Sequence, residues 1–428
     1  MVVFLTLFLD LVGFSLIFPL FPAILDYYTT LEGADSLIGR LVAELQQITG
    51  AEDPNGWRVQ ALFGGVLGSL YSLLQFIFSP IWGRVSDRIG RRPVLLLTVG
   101  GMVVSYLLWI FSGSFALLIG ARLVGGIMSG NISTATAAMA DATSEQDRAK
   151  GMGMIGAAFG LGFILGPAIG GLLALFDPLE TWPGLASYGI NPFSACAAGA
   201  LLLSLLNFVW VWRAFVETLP PERRQKQPQG RIHPLLGNSG LGALVWRTNL
   251  AYWLFMVAFS GMEFTLAFLV RDRLQWGPGA VAGMLCFVGF ILALVQGGIV
   301  RRVAPRYGEK RVAIAGLVIL APGLFLLASA HSAGAVYLGL VPLAVGSALA
   351  IPSLTALASL FAPPERQGAA LGAFRSLGAL ARAIGPIAAG LAYWRYGSAL
   401  PYQIGGAMLV LPLVILAFLP QPTKRAAA

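Results

Sequence analysis

Long apolar stretches without any charged side chain are the feature that most constrains the fold of this chain. Residues 94–111 and 313–330 contain no Asp, Glu, Lys or Arg. A helix needs about 20 apolar residues to cross the hydrocarbon core of a bilayer, which is longer than buried strands run. Over the 428 residues, 57% are hydrophobic and only 11% are charged. The sequence therefore predicts an all-α integral membrane protein in a lipid bilayer.

Apolar runs bounded by Gly, Pro and charge clusters predict twelve transmembrane helices. The first run follows Met1 at once, with no basic leader, and we interpret it as a retained span. The predicted spans are 3–26, 60–80, 93–112, 115–140, 150–175, 193–213, 248–270, 279–300, 312–330, 334–360, 368–393 and 400–419.

Basic residues are unevenly distributed between the two predicted sides of the membrane. Of the 28 Lys and Arg, 20 lie in the even-numbered connections or after the last span, five lie on the opposite side and three lie within spans. Cytoplasmic loops carry the excess of Lys and Arg, so both termini are expected in the cytoplasm. The net charge of +9 then reflects topology and not nucleic-acid binding. A cell (inner or plasma) membrane is expected, with an organelle membrane left open.

One long polar connection predicts a division into two halves. We predict an N-terminal six-helix bundle over 1–216, a cytoplasmic linker over 217–247 and a C-terminal six-helix bundle over 248–428. A repeat supports the division, because Arg88-Ile-Gly90 recurs as Arg306-Tyr-Gly308 and Gly166-Pro167 recurs as Gly385-Pro386, at offsets of 218 and 219 residues. Such duplication is typical of transporters whose site lies between the repeats.

The outer connection 27–58 is long enough to form structure of its own. Leu37, Leu41, Leu45 and Ile48 fall on one helical face, which predicts a short amphipathic helix. Such a helix would lie on the membrane or the outer rim, or form a lid over a cavity.

The connection after the second span, 83–93, reads GRVSDRIGRRP and resembles the signature loop of the major facilitator superfamily. Gly83 and Gly90 would permit a tight turn, and Asp87 would hold Arg91 or the positive end of a neighbouring helix. The predicted gating motif is Gly83, Asp87, Arg88, Gly90, Arg91 and Arg92. The alternative is a basic loop that only sets topology. In the second copy Pro305 replaces the acid, so no second latch is assigned.

The fifth span carries a glycine-rich motif similar to that of drug/proton antiporters in the same superfamily. Its members are Gly162, Gly166, Pro167, Gly170 and Gly171. Small residues permit close helix approach and proline bends a helix, so tight packing alone is the alternative interpretation. The GxGxxG spacing at 151–156 is not interpreted as a dinucleotide site, because no strand precedes it.

Further segments extend the resemblance to particular branches of the superfamily. Residues 9–14, 80–93, 122–126 and 140–144 resemble the bacterial tetracycline efflux antiporters. Residues 259–268 and 375–386 resemble the animal tetracycline-transporter-like (TETRAN) organic-anion transporters. The resemblance implies the major facilitator fold, with two pseudo-symmetric six-helix bundles, and efflux of small molecules, but it says less about the substrate.

Five charged residues lie inside predicted spans and away from the span ends, where they are costly and mark functional sites. They are Asp10, Arg122, Glu263, Arg375 and Arg382. At 1.5 Å per residue, Asp10 and Arg375 lie roughly 10 Å from the cytoplasmic side and Glu263 and Arg382 roughly 20 Å. Matched depth suggests the pairs Asp10–Arg375 and Glu263–Arg382, although the azimuth of each side chain is unknown.

These residues define the predicted sites. Asp10 and Glu263 are predicted proton carriers, and Arg122 a coupling residue through its resemblance to the antiporters' fourth-span arginine. Arg375 and Arg382 are predicted to bind an anionic substrate group. Permanent ion pairs between these acids and arginines are the alternative. The predicted polar cavity wall is formed by Gln75, Asn131 and Gln296, which otherwise form interhelical hydrogen bonds.

The sequence thus predicts a proton-coupled antiporter that exports amphipathic, anionic small molecules and acts as a monomer. A uniporter, a symporter or a non-transporting receptor of the same fold remain alternatives. An enzyme is not predicted, because His233 and His331 lie in loops and no HExxH, Walker A or serine-elbow motif occurs. Cys196 and Cys286, the only cysteines, lie in apolar segments, so no metal site or cofactor is expected.

Overall fold

The computed structural model describes residues 2–33, 35–49, 57–143, 148–224, 241–363 and 367–422. Within these residues, 12 helical segments are long and apolar enough to cross a membrane. This confirms the prediction of an all-α membrane protein with twelve spans.

The described residues form the following helices in chain order. Up to the central connection they are α1 Val2–Ser15, α2 Phe21–Glu32, α3 Leu37–Thr49, α4 Trp57–Ile89, α5 Arg91–Ile110, α6 Phe115–Met128, α7 Asn131–Asp141, α8 Arg148–Leu173, α9 Pro178–Thr181 and α10 Ser194–Ala214. After it come α11 Ala243–Leu274, α12 Pro278–Leu294, α13 Arg301–Tyr307, α14 Glu309–Ala328, α15 Ala333–Leu360, α16 Gln367–Tyr396, α17 Leu400–Met408 and α18 Val410–Ala417.

Several spans differ from the predicted boundaries. The first span is broken between α1 and α2 by a short 3-10 turn, Phe18–Leu20, that contains Pro19. The fourth span is divided into α6 and α7, and the eighth joins α12 to α13 through a π-helical segment, Val295–Val300. The seventh span begins at Ala243, inside the predicted linker. Residues 225–240 lie outside the described part, so the predicted division into domains stays a prediction.

We use four names for parts of the molecule. The N-half is α1–α10 and the C-half is α11–α18. The inner face is the membrane side where α4 ends and α5 begins, and the outer face is the opposite side, where α2 ends and α4 begins. Inner and outer follow the orientation that the sequence predicts.

Apolar side chains cover the perimeter of the molecule as well as its core. Phe290 is 64% exposed, Leu294 57% and Leu97 54%, all on spanning helices. In water such exposure would be costly, but against lipid tails it is the expected boundary. Large fully buried side chains such as Trp109 and Tyr402 fill the interior between the helices.

The packing of α8 on α1 is repeated by the packing of α16 on α11. A Cβ on Gly166 of α8 would lie 1.9 Å from the Ser15 hydroxyl of α1, and a Cβ on Gly385 of α16 would lie 2.2 Å from the Ser260 hydroxyl of α11. Both glycines precede a proline, and in both pairs only the absence of a side chain permits the approach. The sequence repeat thus corresponds to a repeated helix contact.

The two halves touch each other near the outer face through equivalent close contacts. A Cβ on Gly171 of α8 would lie 1.7 Å from the Cβ of Ala282 in α12. A Cβ on Gly65 of α4 would lie 2.6 Å from the carbonyl oxygen of Pro386 in α16. Each contact joins a helix of the N-half to a helix of the C-half.

The predicted amphipathic helix of the outer connection is present as α3. Its inward side differs from the predicted one, because Ile38 is buried while Leu37 is 54% exposed. Val42, one turn after Ile38, packs against the core. The side chains of Leu45 and Ile48 lie outside the described part of the structure.

Candidate functional site

The predicted gating motif forms a charge network on the inner face. The Arg91 guanidinium donates to Asp87 at 2.5 Å and to Asp141 at 2.9 Å, and also donates to the Ser86 hydroxyl at 2.6 Å. The Arg91 side chain is only 7% exposed, so this cation is held from several sides. Asp141 ends α7, and the network therefore joins the second, third and fourth spans. The predicted contact between Asp87 and Arg91 is present.

Glu217, just after the last helix of the N-half, completes this network. Its carboxylate accepts hydrogen bonds from the backbone N–H groups of Arg91 at 2.9 Å and Arg92 at 3.1 Å, which are the first residues of α5. Partial burial opposes its charge, but those amides, the amide of Leu219 and the charge of Arg224 outweigh burial, and the pKa of Glu217 lies below its ordinary value. The start of the central connection is thus bound to the gating motif.

Gly83 does not form the predicted turn. It lies inside α4, which continues to Ile89, and a Cβ there would lie 3.4 Å from the Ser133 hydroxyl of α7, so it favours close helix packing. Gly90 alone makes the turn, with φ at +108°. Arg92 donates to the Trp212 carbonyl at 2.6 Å, whereas Arg88 is exposed.

Asp10 lies on α1 beside a small pocket and is bound by two amides. Its carboxylate accepts from Asn131 of α7 at 2.5 Å and from Asn207 of α10 at 2.8 Å. The predicted pairing with Arg375 is wrong, since no cation of the described residues lies within salt-bridge distance of Asp10. Matched depth did not bring them together, because Asp10 belongs to the N-half and faces its own neighbours. The pocket is lined by Asp10, Leu11, Phe14, Tyr71, Gln75, Met102, Ser129, Asn131 and Ile132.

Arg375 and Arg382 lie on α16 of the C-half and face aromatic rings of the N-half. The Arg375 guanidinium lies 4.8 Å from the centroid of the Phe159 ring, and the Arg382 guanidinium lies 5.6 Å from that of Phe163. These are cation–π contacts between the halves. The Nε of Arg382 is buried and has no hydrogen-bond partner among the described residues.

Glu263 lies on α11 within the electrostatic reach of Arg382. The predicted ion pair between them is not formed, because no salt bridge within the 4 Å limit joins them in the described residues. The two side chains therefore act on each other electrostatically without a salt bridge. The site consists of two arginines and one acid, all partly accessible, opposite a face of phenylalanine rings.

Arg122 is the most buried of the five predicted charges, with 4% exposure. Its guanidinium lies 4.3 Å from the ring centroid of Trp109, and its Nε and Nη2 have no hydrogen-bond partner in the described part of the chain. Tyr71 and Tyr106 are among the phenols that act on it electrostatically, and Asp10 acts on the same two phenols. Arg122 and Asp10 thus share tyrosine neighbours without pairing.

The remaining predicted polar residues take different positions. Gln75 lines the Asp10 pocket and donates to the Ser129 carbonyl at 3.4 Å. Asn131, predicted to line the substrate cavity, also lines this pocket but binds Asp10. Gln296 lies on the eighth span, and a Cβ on Gly160 of α8 would lie 3.5 Å from its side-chain oxygen.

The glycine motif of α8 serves two interfaces. A Cβ on Gly162 would lie 2.6 Å from the Leu11 Cβ and one on Gly170 would lie 1.9 Å from the Leu16 carbonyl oxygen, so these glycines and Gly166 admit α1. Gly171 instead admits α12 of the C-half. Pro167 lies inside the continuous helix.

An ion pair near the outer face joins the two halves. Arg271 of α11 donates to Asp26 of α2 at 2.7 Å, and Gln60 of α4 donates to the other Asp26 oxygen at 3.2 Å. The two charged side chains are 22% and 41% exposed, so water reaches both.

Sequence reasoning did not assign Asn207, Asp141, Glu217 or the Asp26–Arg271 pair. Asp141 stood in a segment that resembled the tetracycline antiporters, which was an available signal. Asn207 and Glu217 carried no local signal, because their partners are distant in sequence. Among the described residues no cluster of three or more His, Cys, Asp or Glu is placed to hold a metal ion.

Comparison with known proteins places this arrangement in a family. The model of the Major Facilitator Superfamily matches residues 3–306 and 302–428. Major facilitator superfamily domain-containing protein 10 of Bos taurus is 36% identical, over 99% of this chain and 93% of the relative. The class B tetracycline resistance protein of Escherichia coli is 30% identical, over 76% of this chain and 77% of its own.

Solved structures give the same result. The crystal structure of the human organic anion transporter MFSD10 (TETRAN) aligns with a TM-score of 0.77 and 34% identity, over 97% of this chain and 98% of its own. A bacterial homolog of the human lysosomal transporter Spinster aligns with a TM-score of 0.64 at 16% identity, over 97% and 94% of the two chains, which supports the fold alone. This chain therefore belongs to the major facilitator superfamily, as a member similar to MFSD10 and more distantly to the tetracycline resistance proteins.

Proposed function

We propose that this chain is a proton-coupled antiporter that exports amphipathic anionic small molecules as a monomer. Family membership makes it a transporter and not an enzyme. The finer proposal rests on one observation: Glu263 lies within the electrostatic reach of Arg382, but no salt bridge among the described residues joins an acid to an arginine inside the spans. This observation favours exchangeable charges over permanent ion pairs.

The arginines are available to an anionic substrate. Arg375 and Arg382 face Phe159 and Phe163. Among the described residues no carboxylate lies within salt-bridge distance of either guanidinium. A buried guanidinium N–H without an acceptor is costly, and a carboxylate on a substrate would supply the acceptor. The phenylalanine rings beside them would contact the apolar part of the same molecule. This combination supports an amphipathic anion as the substrate class.

The two acids are suited to proton exchange because neither forms a salt bridge with a cation among the described residues. Glu263 lies within the electrostatic reach of Arg382, so a substrate anion at the arginine and a proton at the acid would influence each other. Asp10 lies in the other half, and its hydrogen-bond donors among the described residues are neutral amides. Relatives similar to this chain include an organic anion transporter and tetracycline resistance proteins, which agrees with this proposal.

The proposed cycle opens the site alternately to either face. The Arg91 network joins helices of the N-half at the inner face, while the Asp26–Arg271 pair and the contact of Gly171 with Ala282 join the halves at the outer face. Opening outward requires the outer contacts to break. The excess of basic residues supports an inner face in the cytoplasm.

The test is transport by the purified protein reconstituted into vesicles. Uptake of a fluorescent organic anion should follow an imposed pH gradient and should lose that dependence in Glu263→Gln. The matched control is Glu180→Gln, which removes an exposed carboxylate outside the cavity. Equal flux with and without the gradient would reject proton coupling and leave a uniporter.

Ligand class is tested separately by thermal shift. Organic anions should stabilise the wild type more than organic cations of similar size, and Arg382→Ala should lose the preference. Arg302→Ala, an exposed arginine on α13, is the control and should retain it. A preference for cations would refute the anionic substrate, and stabilisation without any flux would indicate a receptor.

A further inference from the structure

The Asp10 carboxylate is held by one amide on each oxygen. Asn131 of α7 donates to Oδ2 at 2.5 Å, and Asn207 of α10 donates to Oδ1 at 2.8 Å. Asn131 is 1% exposed and Asn207 is fully buried. Two neutral donors from two different helices thus fix both the position and the rotation of this carboxylate.

The orientation of the Asn207 amide is determined by a second contact. Its nitrogen also donates to the backbone carbonyl of Thr6 at 3.1 Å, one turn before Asp10 on α1. A carbonyl oxygen only accepts, so the amide nitrogen must face α1. The Asn207 oxygen then points away and is buried without a partner in the described residues. Burial of an oxygen without a hydrogen-bond partner is unfavourable. The hydrogen bonds that the amide nitrogen donates to Asp10 and Thr6 therefore outweigh this cost.

Among the described residues no charged group replaces the amides at this carboxylate. Tyr71 of α4 and Tyr106 of α5 are the titratable neighbours on which Asp10 acts, and Arg122 of α6 acts on both of them. The helices packed directly on α1 are α7, α8 and α10. Their ionisable side chains in the described part are Asp141 and Arg213 near the inner ends and Cys196 near the outer end.

We propose that Asn207 and Asn131 are positioning residues that set the pH at which Asp10 exchanges its proton. The proposal rests on the proposed proton-coupled function. Amide donors stabilise the carboxylate form, but less than an arginine would, so they hold the charge in place without a counter-charge. Loss of one donor should therefore favour the protonated form.

The amides also tie the protonation of Asp10 to helix packing. A protonated carboxyl donates one hydrogen and no longer attracts two donors equally. Because Asn207 belongs to α10 and Asn131 to α7, protonation weakens a link between the first span and the fourth or sixth. A change at one oxygen of Asp10 is thereby transmitted to helices of the N-half.

The test measures Asp10 directly and transport separately. Infrared titration of the protonated carboxyl band, with Asp10→Asn as the subtraction, gives the pH of half-protonation in the purified full chain. Asn207→Leu should move it up by about one pH unit, a ten-fold change in proton affinity or ~1.4 kcal/mol. Asn131→Leu should move it in the same direction, and it serves as the second variant if Asn207→Leu does not fold.

Asn249→Leu is the matched control, because Asn249 is a buried asparagine of α11 with an unpartnered oxygen and lies in the other half. It should leave the Asp10 midpoint unchanged. An identical midpoint in the wild type and both test variants would overturn the positioning role. A shifted midpoint with transport that ignores the pH gradient would uphold it and reject the proposed antiport.

Discussion

Substitution of Gly171 by alanine should open the outer contact between the halves. The added Cβ would lie 1.7 Å from the Ala282 Cβ, whereas ordinary contact begins at 3.4 Å, so the backbones must separate by about 1.7 Å there. Overpacking of this kind costs about 1–3 kcal/mol in a rigid interior. In this protein α8 and α12 belong to different halves, and the strain is relieved when those halves part on the outer side.

The expected magnitude follows from that relief. We call the form with the halves in contact at the outer face outer-closed and the form with the halves parted there outer-open. If the cost falls only on the outer-closed form, the ratio of outer-open to outer-closed molecules rises by about 5- to 150-fold. Gly170→Ala provides a contrast, because its Cβ would lie 1.9 Å from the Leu16 carbonyl oxygen within the same half. Opening the halves leaves that clash in place, so we expect a lower Tm and no change in the ratio.

Double electron–electron resonance measures distances between spin labels and thereby the ratio of outer-open to outer-closed molecules. Labels at Leu31, 52% exposed at the end of α2, and Tyr396, 70% exposed at the end of α16, report on the outer separation of the halves. Both native cysteines are replaced by serine. Gly283→Ala is the neutral control, because a Cβ there meets no atom within 4 Å. A Gly171→Ala distance distribution identical to the wild type, with only a lower Tm, would refute the reasoning.

Three further predictions concern charges at the two faces. Asp26→Asn removes a carboxylate that binds Arg271 at the outer face. It should raise the outer-open population only slightly, since exposed pairs contribute at most about 1 kcal/mol, and added salt should abolish the difference between variant and wild type. A large effect that persists in high salt would contradict this. Asp141→Asn leaves Asp87 as the one carboxylate on Arg91 among the described residues and should lower the free energy of unfolding by about 1–3 kcal/mol. Thermal denaturation measures the change, with Asp35→Asn on the exposed outer connection as the control. Glu217→Gln should lower the Tm at neutral pH, because a carboxyl with a lowered pKa stabilises the fold above its ordinary pKa of 4.5. That stabilisation is lost as the pH falls through the lowered pKa. The Tm values of the variant and the wild type should therefore converge in acid. A Tm difference independent of pH would exclude this role.

Contacts formed within one helix or one short connection were accessible from the sequence. Asp87 and Arg91 are four residues apart across a single glycine, and their pairing needs no knowledge of the rest of the chain. The glycines of α8 recur at helical spacing, which predicted a close partner but not which one. Gly162, Gly166 and Gly170 face α1 and Gly171 faces α12, and only the rotation of α8 in the assembled protein separates these roles.

The charges inside the spans show where sequence reasoning ends. The sequence predicted their depth, because each helical residue advances a fixed 1.5 Å along the axis. It did not determine azimuth, and so the pairing of Asp10 with Arg375 by depth was wrong. The apolar runs between basic connections determined the twelve spans, because a backbone in lipid must form its hydrogen bonds within its own helix. The family motifs determined the transporter class. The amide partners of Asp10 and the aromatic faces opposite Arg375 and Arg382 were decided only by tertiary packing, which brings together residues far apart in the chain.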